Sequence, residues 1–150
     1  MRIYLDLCCL QRPLDDQSQA RIRIESEAVR LIVELCGYGK HQWVSSRVLE
    51  FEATRNPDED RRGRVLALLK HADERIALAD AAVERATNYQ RQGLRGIDAL
   101  HLAAAEAAAC DVLLTTDDRF VRRVRELRPG PKVRVENRAQ WVVEHAEDDS

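Results

Sequence analysis

The feature that most limits the fold of this chain is an alternation of short apolar runs with longer helical patterns. The short runs lie at residues 2–7, 42–46, 111–116 and 133–137. Stretches with apolar residues at helical spacing lie at residues 18–37, 46–56, 62–72, 80–93, 97–110, 117–127 and 138–146. Strands that alternate with helices form a parallel sheet covered on both faces. We therefore predict an α/β fold with a central, mainly parallel β-sheet of four to five strands flanked by helices.

The length and composition are those of a single globular domain. The 150 residues carry a net charge of only −2, so there is no global basic signature for nucleic acid, although a local basic stripe remains compatible with this balance. We predict one domain over residues 1–150, with residues from about 145 to 150 as a frayed acidic tail. No apolar run approaches the roughly 18 residues of a membrane span. The four cysteines lack zinc-site spacing, which favours reduced thiols and a cytoplasmic protein.

A carboxylate interrupts the first apolar run, "RIYLDLCC". Asp6 stands in what reads as a buried strand, with no basic residue at strand spacing. An isolated buried carboxylate is costly, and such groups are normally paired or bound to a cation. Another part of the chain, or a ligand, must therefore compensate the charge of Asp6.

Other acids stand where elements of a parallel α/β fold begin or end. Asp117 and Asp118 follow the strand "VLLTT", Asp98 opens the alanine-rich helix, and Glu52 lies on the helix after residues 42–46. Taken singly, these acids are explained by helix capping, the helix dipole or solvent exposure. Ligand crevices in open α/β sheets lie outside the carboxyl ends of strands, so the acids together favour one shared site. Clustered carboxylates repel one another unless a hard cation such as Mg²⁺ or Mn²⁺ neutralises them.

Four short motifs, in order along the chain, resemble those of the PIN domain, especially the small bacterial nucleases of the VapC toxin type. The motifs are "IYLDLCCLQRP", "SRVLEFE", "GIDALHLAAAE" and "LLTTDDRF". They place Asp6, Glu52, Asp98 and Asp117 at the acidic positions of the family, with Ser46 six residues before Glu52. One departure is Cys8, because family members often carry Asn two residues after the first acid.

The resemblance implies a PIN-like fold and a metal-dependent ribonuclease that serves as the toxin of a toxin–antitoxin pair. It implies Asp6, Asp98 and Asp117 as ligands of Mg²⁺ or Mn²⁺, directly or through water, with Glu52 as a catalytic helper. RNA is then the substrate, an antitoxin protein a partner, and a two-fold homodimer the expected assembly. Bound divalent ions suit phosphodiester hydrolysis because they activate water and neutralise phosphate charge.

Several further residues have two interpretations at this stage. Thr115 either bonds a carboxylate or ligand water, or is an ordinary strand threonine. Asp118 either lies in the outer sphere of the metal or is a solvated surface acid. His101 shares a helix face with Asp98, and it either touches a metal-bound water or a phosphate or is a packed or solvated residue. The basic residues that we consider for RNA binding are Arg12, Arg119, Arg122 and Arg123. An ordinary solvated helix face explains the arginines of residues 117–127 equally well. Arg12 has Asp15 and Asp16 as alternative partners.

Three other functions remain open. A haloacid-dehalogenase-like phosphatase also carries Asp after its first strand, but it needs a second Asp where this chain has Cys8. A non-catalytic PIN-fold module would bind RNA or protein without cutting, although the complete set of acids disfavours it. A non-toxin nuclease for RNA processing has the same site, and the sequence does not separate it from a toxin.

Overall fold

In the computed structural model, which describes residues 1–145, five strands alternate with eight α-helices. The strands are β1 (Arg2–Leu5), β2 (Gln42–Ser46), β3 (Glu74–Ile76), β4 (Val112–Thr115) and β5 (Arg134–Asn137). The helices are α1 (Leu7–Gln11), α2 (Ala20–Gly37), α3 (Arg47–Thr54), α4 (Glu59–Leu69), α5 (Asp80–Arg91), α6 (Gly96–Ala107), α7 (Asp118–Arg125) and α8 (Arg138–His145). A 3-10 helix at Arg12–Leu14 joins α1 to α2. Among the described helices, none has the length and apolar character needed to cross a membrane.

The strands form one fully parallel sheet in the order β3-β2-β1-β4-β5. The chain moves from β1 to β2 through α2, and in the opposite direction from β3 to β4 through α5 and α6. Right-handed crossovers that run in opposite directions place their helices on opposite faces of the sheet. The predicted α/β fold is confirmed, and the sheet order reverses beside β1.

The central strand β1 is almost completely buried. Ile3, Tyr4 and Leu5 are all inaccessible to solvent, as expected for a strand with neighbours on both edges and helices on both faces. Ile3 lies opposite Trp43 of β2 and Val112 of β4. The burial of these side chains fixes the register, because a shift by one residue would exchange the two faces of the strand.

The first strand is shorter than the predicted range of 2–7. It ends at Leu5, and Asp6 takes an extended conformation at the N-cap of α1, where its side chain accepts a hydrogen bond from the Leu7 N–H. The apolar run that continues through Cys8 and Cys9 therefore belongs to a helix. Short apolar runs do not distinguish a strand from a buried helix, and the capping aspartate decides between them here.

Strand β3 was not predicted from the sequence. It has three residues, of which only Ile76 is apolar, and it lies at the edge of the sheet beside β2. A strand this short has no detectable periodicity, so only pairing with β2 defines it. Within the described residues the sheet therefore has five strands, the upper limit of the four to five that were predicted. The tail expected from about residue 145 lies, from residue 146 onward, outside the described residues.

Candidate metal centre at the carboxyl edge of the sheet

The carboxyl ends of β1, β2 and β4 meet at one edge of the sheet because the three strands are parallel neighbours. Asp6 follows β1 at this edge, beside Thr115 at the end of β4. The Asp6 carboxylate accepts a hydrogen bond at Oδ1 from the Leu7 N–H (2.8 Å) and one at Oδ2 from the Thr115 hydroxyl (2.9 Å). These two bonds fix the orientation of both carboxylate oxygens. Of the two interpretations of Thr115, the structure supports a bond to a carboxylate.

Cys8 lies against the same carboxylate. Its Sγ is 3.5 Å from Asp6 Oδ2 and 3.4 Å from the Thr115 hydroxyl oxygen. A thiol is a weak donor, so this contact adds little to the two stronger bonds of Asp6. The side chain at the position where Asn was expected is thus directed at the site.

His101 is the buried centre of a hydrogen-bonded chain that reaches this edge from α6. Its Nε2 lies 3.1 Å from Glu52 Oε1 and 3.9 Å from Asp6 Oδ1. Its Nδ1 lies 2.7 Å from the Tyr4 hydroxyl, which in turn lies 2.7 Å from Ser46 Oγ. His101 has no solvent exposure, and every polar atom of its ring has a partner. The hydrogen-bonded chain connects four elements, β1, β2, α3 and α6.

Burial acts on the pKa values of Asp6 and His101 in opposite directions, and the charge of each group alters the pKa of the other. Burial raises the pKa of Asp6, while the charge of His101 and the hydrogen bond from Thr115 oppose that rise. Burial by itself lowers the pKa of His101, but the bond to Glu52 and the charges of Asp6, Glu52 and Asp98 outweigh it, so the pKa is raised. The surroundings therefore favour a positive charge at this point and disfavour the ionised Asp6.

Asp6, Glu52 and His101 form a group with the donor set of a metal site. One potential ligand atom from each lies within 4.8 Å of the others. Carboxylate oxygens and an imidazole nitrogen are common ligands of small divalent ions. The carboxylate of Asp6 is buried, and a divalent cation would compensate the charge that burial makes costly. These residues thus fit the metal ion that the sequence motifs imply.

Asp98 lies in the first turn of α6 and already has a cationic partner. Arg95 donates to both of its carboxylate oxygens, at 2.9 Å from Nε and 3.2 Å from Nη2. The charge of Asp98 nevertheless acts on Asp6 and on His101, which places it beside the group. The role of Asp98 as a metal ligand stays a prediction, and it requires Arg95 to share or release the carboxylate.

Asp117 is the N-cap of α7, where its Oδ1 accepts hydrogen bonds from the N–H groups of Arg119 (2.9 Å) and Phe120 (3.4 Å). Its own N–H donates to the Thr115 hydroxyl at 3.1 Å, which connects it to Asp6 through one side chain. The predicted ligand role of Asp117 stays a prediction. Its neighbour Asp118 is exposed and pairs with Arg21 at 2.9 Å.

The four arginines considered for RNA binding do not form one surface. Arg12 and Arg119 line a groove of about 330 Å³ that also contains Asp117. Arg12 is paired with Asp15 and Glu25, each at 3.1 Å, so its charge is largely compensated. Arg122 lines a separate cavity, and Arg123 donates to a loop carbonyl. A role in RNA binding stays a prediction for all four.

Two residues of this edge were not singled out from the sequence. Arg95 precedes Asp98 by three residues, and its pKa is raised first by the bond to Asp98 and also by the charges of Asp117 and Asp6. The spacing of Arg95, Asp98 and His101 on one helix face was the available signal. Tyr4 had no such signal, because its contact with His101 joins residues 97 positions apart.

Comparisons with known proteins point to one family. A family model described as the PIN domain matches residues 12–126. A solved structure of similar fold is that of VapBC2 from Rickettsia felis, bound to a DNA fragment from their promoter. That match has a TM-score of 0.59 and 16% sequence identity, and it covers 91% of this chain and 98% of the other. No curated protein is significantly similar in sequence to the chain.

Proposed function

The chain belongs to the PIN-domain family, whose members are generally nucleases, and we propose that it is a divalent-metal-dependent endoribonuclease. The observation that carries this proposal is the grouping of Asp6, Glu52 and His101 at the carboxyl edge of the sheet. Asp6 follows β1, Glu52 lies on α3 and His101 lies on α6, so only folding brings their ligand atoms together. The Asp6 carboxylate, held by two hydrogen bonds and disfavoured by burial when ionised, is the group with most need of a cation.

Asp6, Asp98 and Asp117 are the proposed ligands of Mg²⁺ or Mn²⁺. Held by these residues, such an ion would supply a water of lowered pKa and would neutralise charge on the phosphate. Glu52, which is partly exposed and lies 3.1 Å from His101, is the proposed helper that holds an ion or orients the attacking water. Thr115 and Leu7 hold the Asp6 oxygens in place throughout, and Arg95 is the cation beside Asp98.

The groove beside Asp117 is the proposed path of the RNA backbone. Arg119 contributes positive charge there, whereas Arg21 in the same groove is already paired with Asp118. Phosphate contacts of this kind supply affinity without sequence selectivity. Arg12 contributes less because Asp15 and Glu25 already pair with it.

A toxin role, with an antitoxin protein as partner, is the biological setting that we propose. The support is the likeness to VapBC2 from Rickettsia felis, which at 16% identity extends to the fold alone. A homodimer in the cytoplasm completes this proposal. Co-expression with the product of an adjacent gene, followed by co-purification, tests the partner directly.

Cleavage of structured RNAs by the purified protein, in Mn²⁺ or in EDTA, tests the nuclease function. Wild type is expected to cut only with Mn²⁺, and Asp6→Asn to lose more than about 100-fold of the rate, since a metal ion contributes several kcal/mol to such reactions. Asp16→Asn is a matched control, because Asp16 is exposed and lies outside the site. RNA binding without cleavage by wild type would instead identify a non-catalytic module.

A further inference from the structure

We propose that His101 is itself a metal ligand, through Nε2, and that it gives this centre a preference for Mn²⁺ and related transition-metal ions over Mg²⁺. This inference rests on the proposed metal-dependent function and deepens it. It adds the imidazole of His101, beside Asp6 and Glu52, to the carboxylate ligands proposed above.

The distances around Nε2 agree with those between ligands of one ion. Ligands about 2.1 Å from a small divalent cation lie roughly 3 Å apart when adjacent and roughly 4.2 Å apart when opposite. Nε2 is 3.1 Å from Glu52 Oε1 and 3.9 Å from Asp6 Oδ1, and the three atoms lie within 4.8 Å of one another. The three donors therefore need little movement to reach a common ion.

Tyr4 and Ser46 hold the imidazole in the orientation that a ligand needs. Nδ1 lies 2.7 Å from the Tyr4 hydroxyl, and that hydroxyl lies 2.7 Å from Ser46 Oγ, which also accepts from the Leu49 N–H. Binding of an ion would release to solvent the proton through which Nε2 now donates to Glu52. With Nδ1 donating to Tyr4 and Tyr4 donating to Ser46, the lone pair of His101 would then be on Nε2, facing Asp6 and Glu52. Metal-bound histidines typically donate their second ring N–H to such a partner, which fixes the tautomer.

The neighbouring acid is less available than His101. Asp98 receives two N–H groups from Arg95, so it must lose or share a charge-assisted pair before it can bind an ion. His101 Nε2 has only Glu52 as its hydrogen-bond partner in the described residues, and Glu52 is a ligand candidate for the same ion. The third donor beside Asp6 and Glu52 is therefore a nitrogen.

A nitrogen ligand changes which ions the centre prefers. Mg²⁺ binds carboxylate, carbonyl and water oxygens, whereas imidazole suits transition metals such as Fe²⁺, Ni²⁺ and Zn²⁺. Affinity for such sites rises from Mn²⁺ through Fe²⁺ to Ni²⁺. Mn²⁺ accepts both kinds of ligand and is paramagnetic. It is therefore the ion with which both the preference and the nitrogen bond are measurable.

Pulsed electron paramagnetic resonance of Mn²⁺ bound to the full chain tests the nitrogen bond without any mutation. Electron spin echo modulation from a directly bound nitrogen is expected, and its pattern is expected to change when the protein contains ¹⁵N-histidine. Modulation that is absent, or that does not respond to the label, would overturn the proposal. A failure of Mn²⁺ to bind at millimolar concentration would overturn it as well.

Calorimetric titration with Mn²⁺ and Mg²⁺ tests the preference. His101→Gln is expected to lower the ratio of the Mn²⁺ to the Mg²⁺ affinity by at least about tenfold, and Tyr4→Phe to weaken Mn²⁺ binding by about tenfold while keeping the nitrogen modulation. His71→Gln, at an exposed histidine, is the matched control and should alter neither. An unchanged ratio in a folded His101→Gln protein would contradict the proposed role.

The RNA cleavage assay separates this inference from the function on which it rests. A wild type that cuts RNA with Mn²⁺ but lacks nitrogen modulation is a nuclease in which His101 is not a ligand. A wild type with histidine modulation and no cleavage of any RNA keeps the metal site and loses the nuclease function.

Discussion

Asp6→Asn should make the metal-free protein more stable at neutral pH. Folding buries the Asp6 carboxylate, which raises its pKa, and the charges of Glu52 and Asp98 act in the same direction. Because the folded state binds the proton more tightly than the unfolded state does, ionisation of Asp6 costs folding free energy. Asparagine has nearly the same shape as the neutral acid, and its carbonyl oxygen can still accept from the Leu7 N–H. The substitution therefore removes the cost and keeps the cap.

The magnitude follows from the linkage between protonation and folding. Each unit by which folding raises the pKa corresponds to about 1.4 kcal/mol of stability lost when the group is ionised. In a domain of this size, each kcal/mol shifts the melting temperature by roughly 2–4 °C. The charge of His101 and the hydrogen bond from Thr115 already limit the rise in the pKa, so the net gain for Asp6→Asn is positive but modest.

The pH dependence of this gain identifies its cause. Below the ordinary pKa of 3.8, Asp6 is protonated in both states, so wild type and Asp6→Asn should melt alike in EDTA. The gain should grow as the pH rises from that value through the folded-state pKa, and stay constant above it. Mn²⁺ should reverse the order, since a ligand at 100 times its dissociation constant stabilises the wild type by about 2.7 kcal/mol.

Thermal melts between pH 3.5 and 7.5, in EDTA and in millimolar Mn²⁺, provide the measurement. Asp58→Asn is the matched control, because Asp58 caps α4 in the same way but is exposed to water. An Asp6→Asn protein that melts lower than wild type in EDTA at neutral pH would refute the reasoning. Mn²⁺ shifts that are equal in both proteins would show that Asp6 does not bind the ion.

Three further predictions concern other parts of the molecule. Burial raises the pKa of Cys36 to about 11 and that of Cys110 to about 12, so at pH 8 iodoacetamide should label them only after unfolding; mass spectrometry that finds rapid labelling of the native protein would contradict this. Arg138 is fully buried and its guanidinium has no hydrogen-bond partner among the described residues, so Arg138→Met should stabilise the protein by about 1–4 kcal/mol in urea unfolding, and a loss of stability would mean that the cation is paired in solution. The exposed Ile24 on α2 agrees with the expected homodimer, so light scattering should give twice the monomer mass, and a monomer at high concentration would exclude that assembly.

The sequence by itself determined the layered fold and the chemistry of its carboxyl edge. Strands in a parallel sheet are apolar throughout, and helices repeat their apolar residues every three or four positions, so both patterns are local and readable. The place of Asp117 after an apolar run marked the end of one strand, whereas Asp6 was predicted inside the first strand and in fact follows it. Ser46 is the N-cap of α3, a kind of feature that a sequence can show because capping depends on residues only three apart.

The tertiary structure alone decided which side chains of the site form hydrogen bonds with one another. The bond between Tyr4 and His101 spans 97 positions, and that between His101 and Glu52 spans 49, and no local pattern encodes either distance. Arg95 and Asp98 are three residues apart, a spacing that allows them to pair. How far Arg95 is committed to Asp98 depends on the other acids near Arg95, and only the folded structure shows which acids these are. Strand β3 likewise exists only because the edge of β2 offers it hydrogen bonds. Burial and long-range contact set the charges and partners of these groups, and both arise only when the chain is folded.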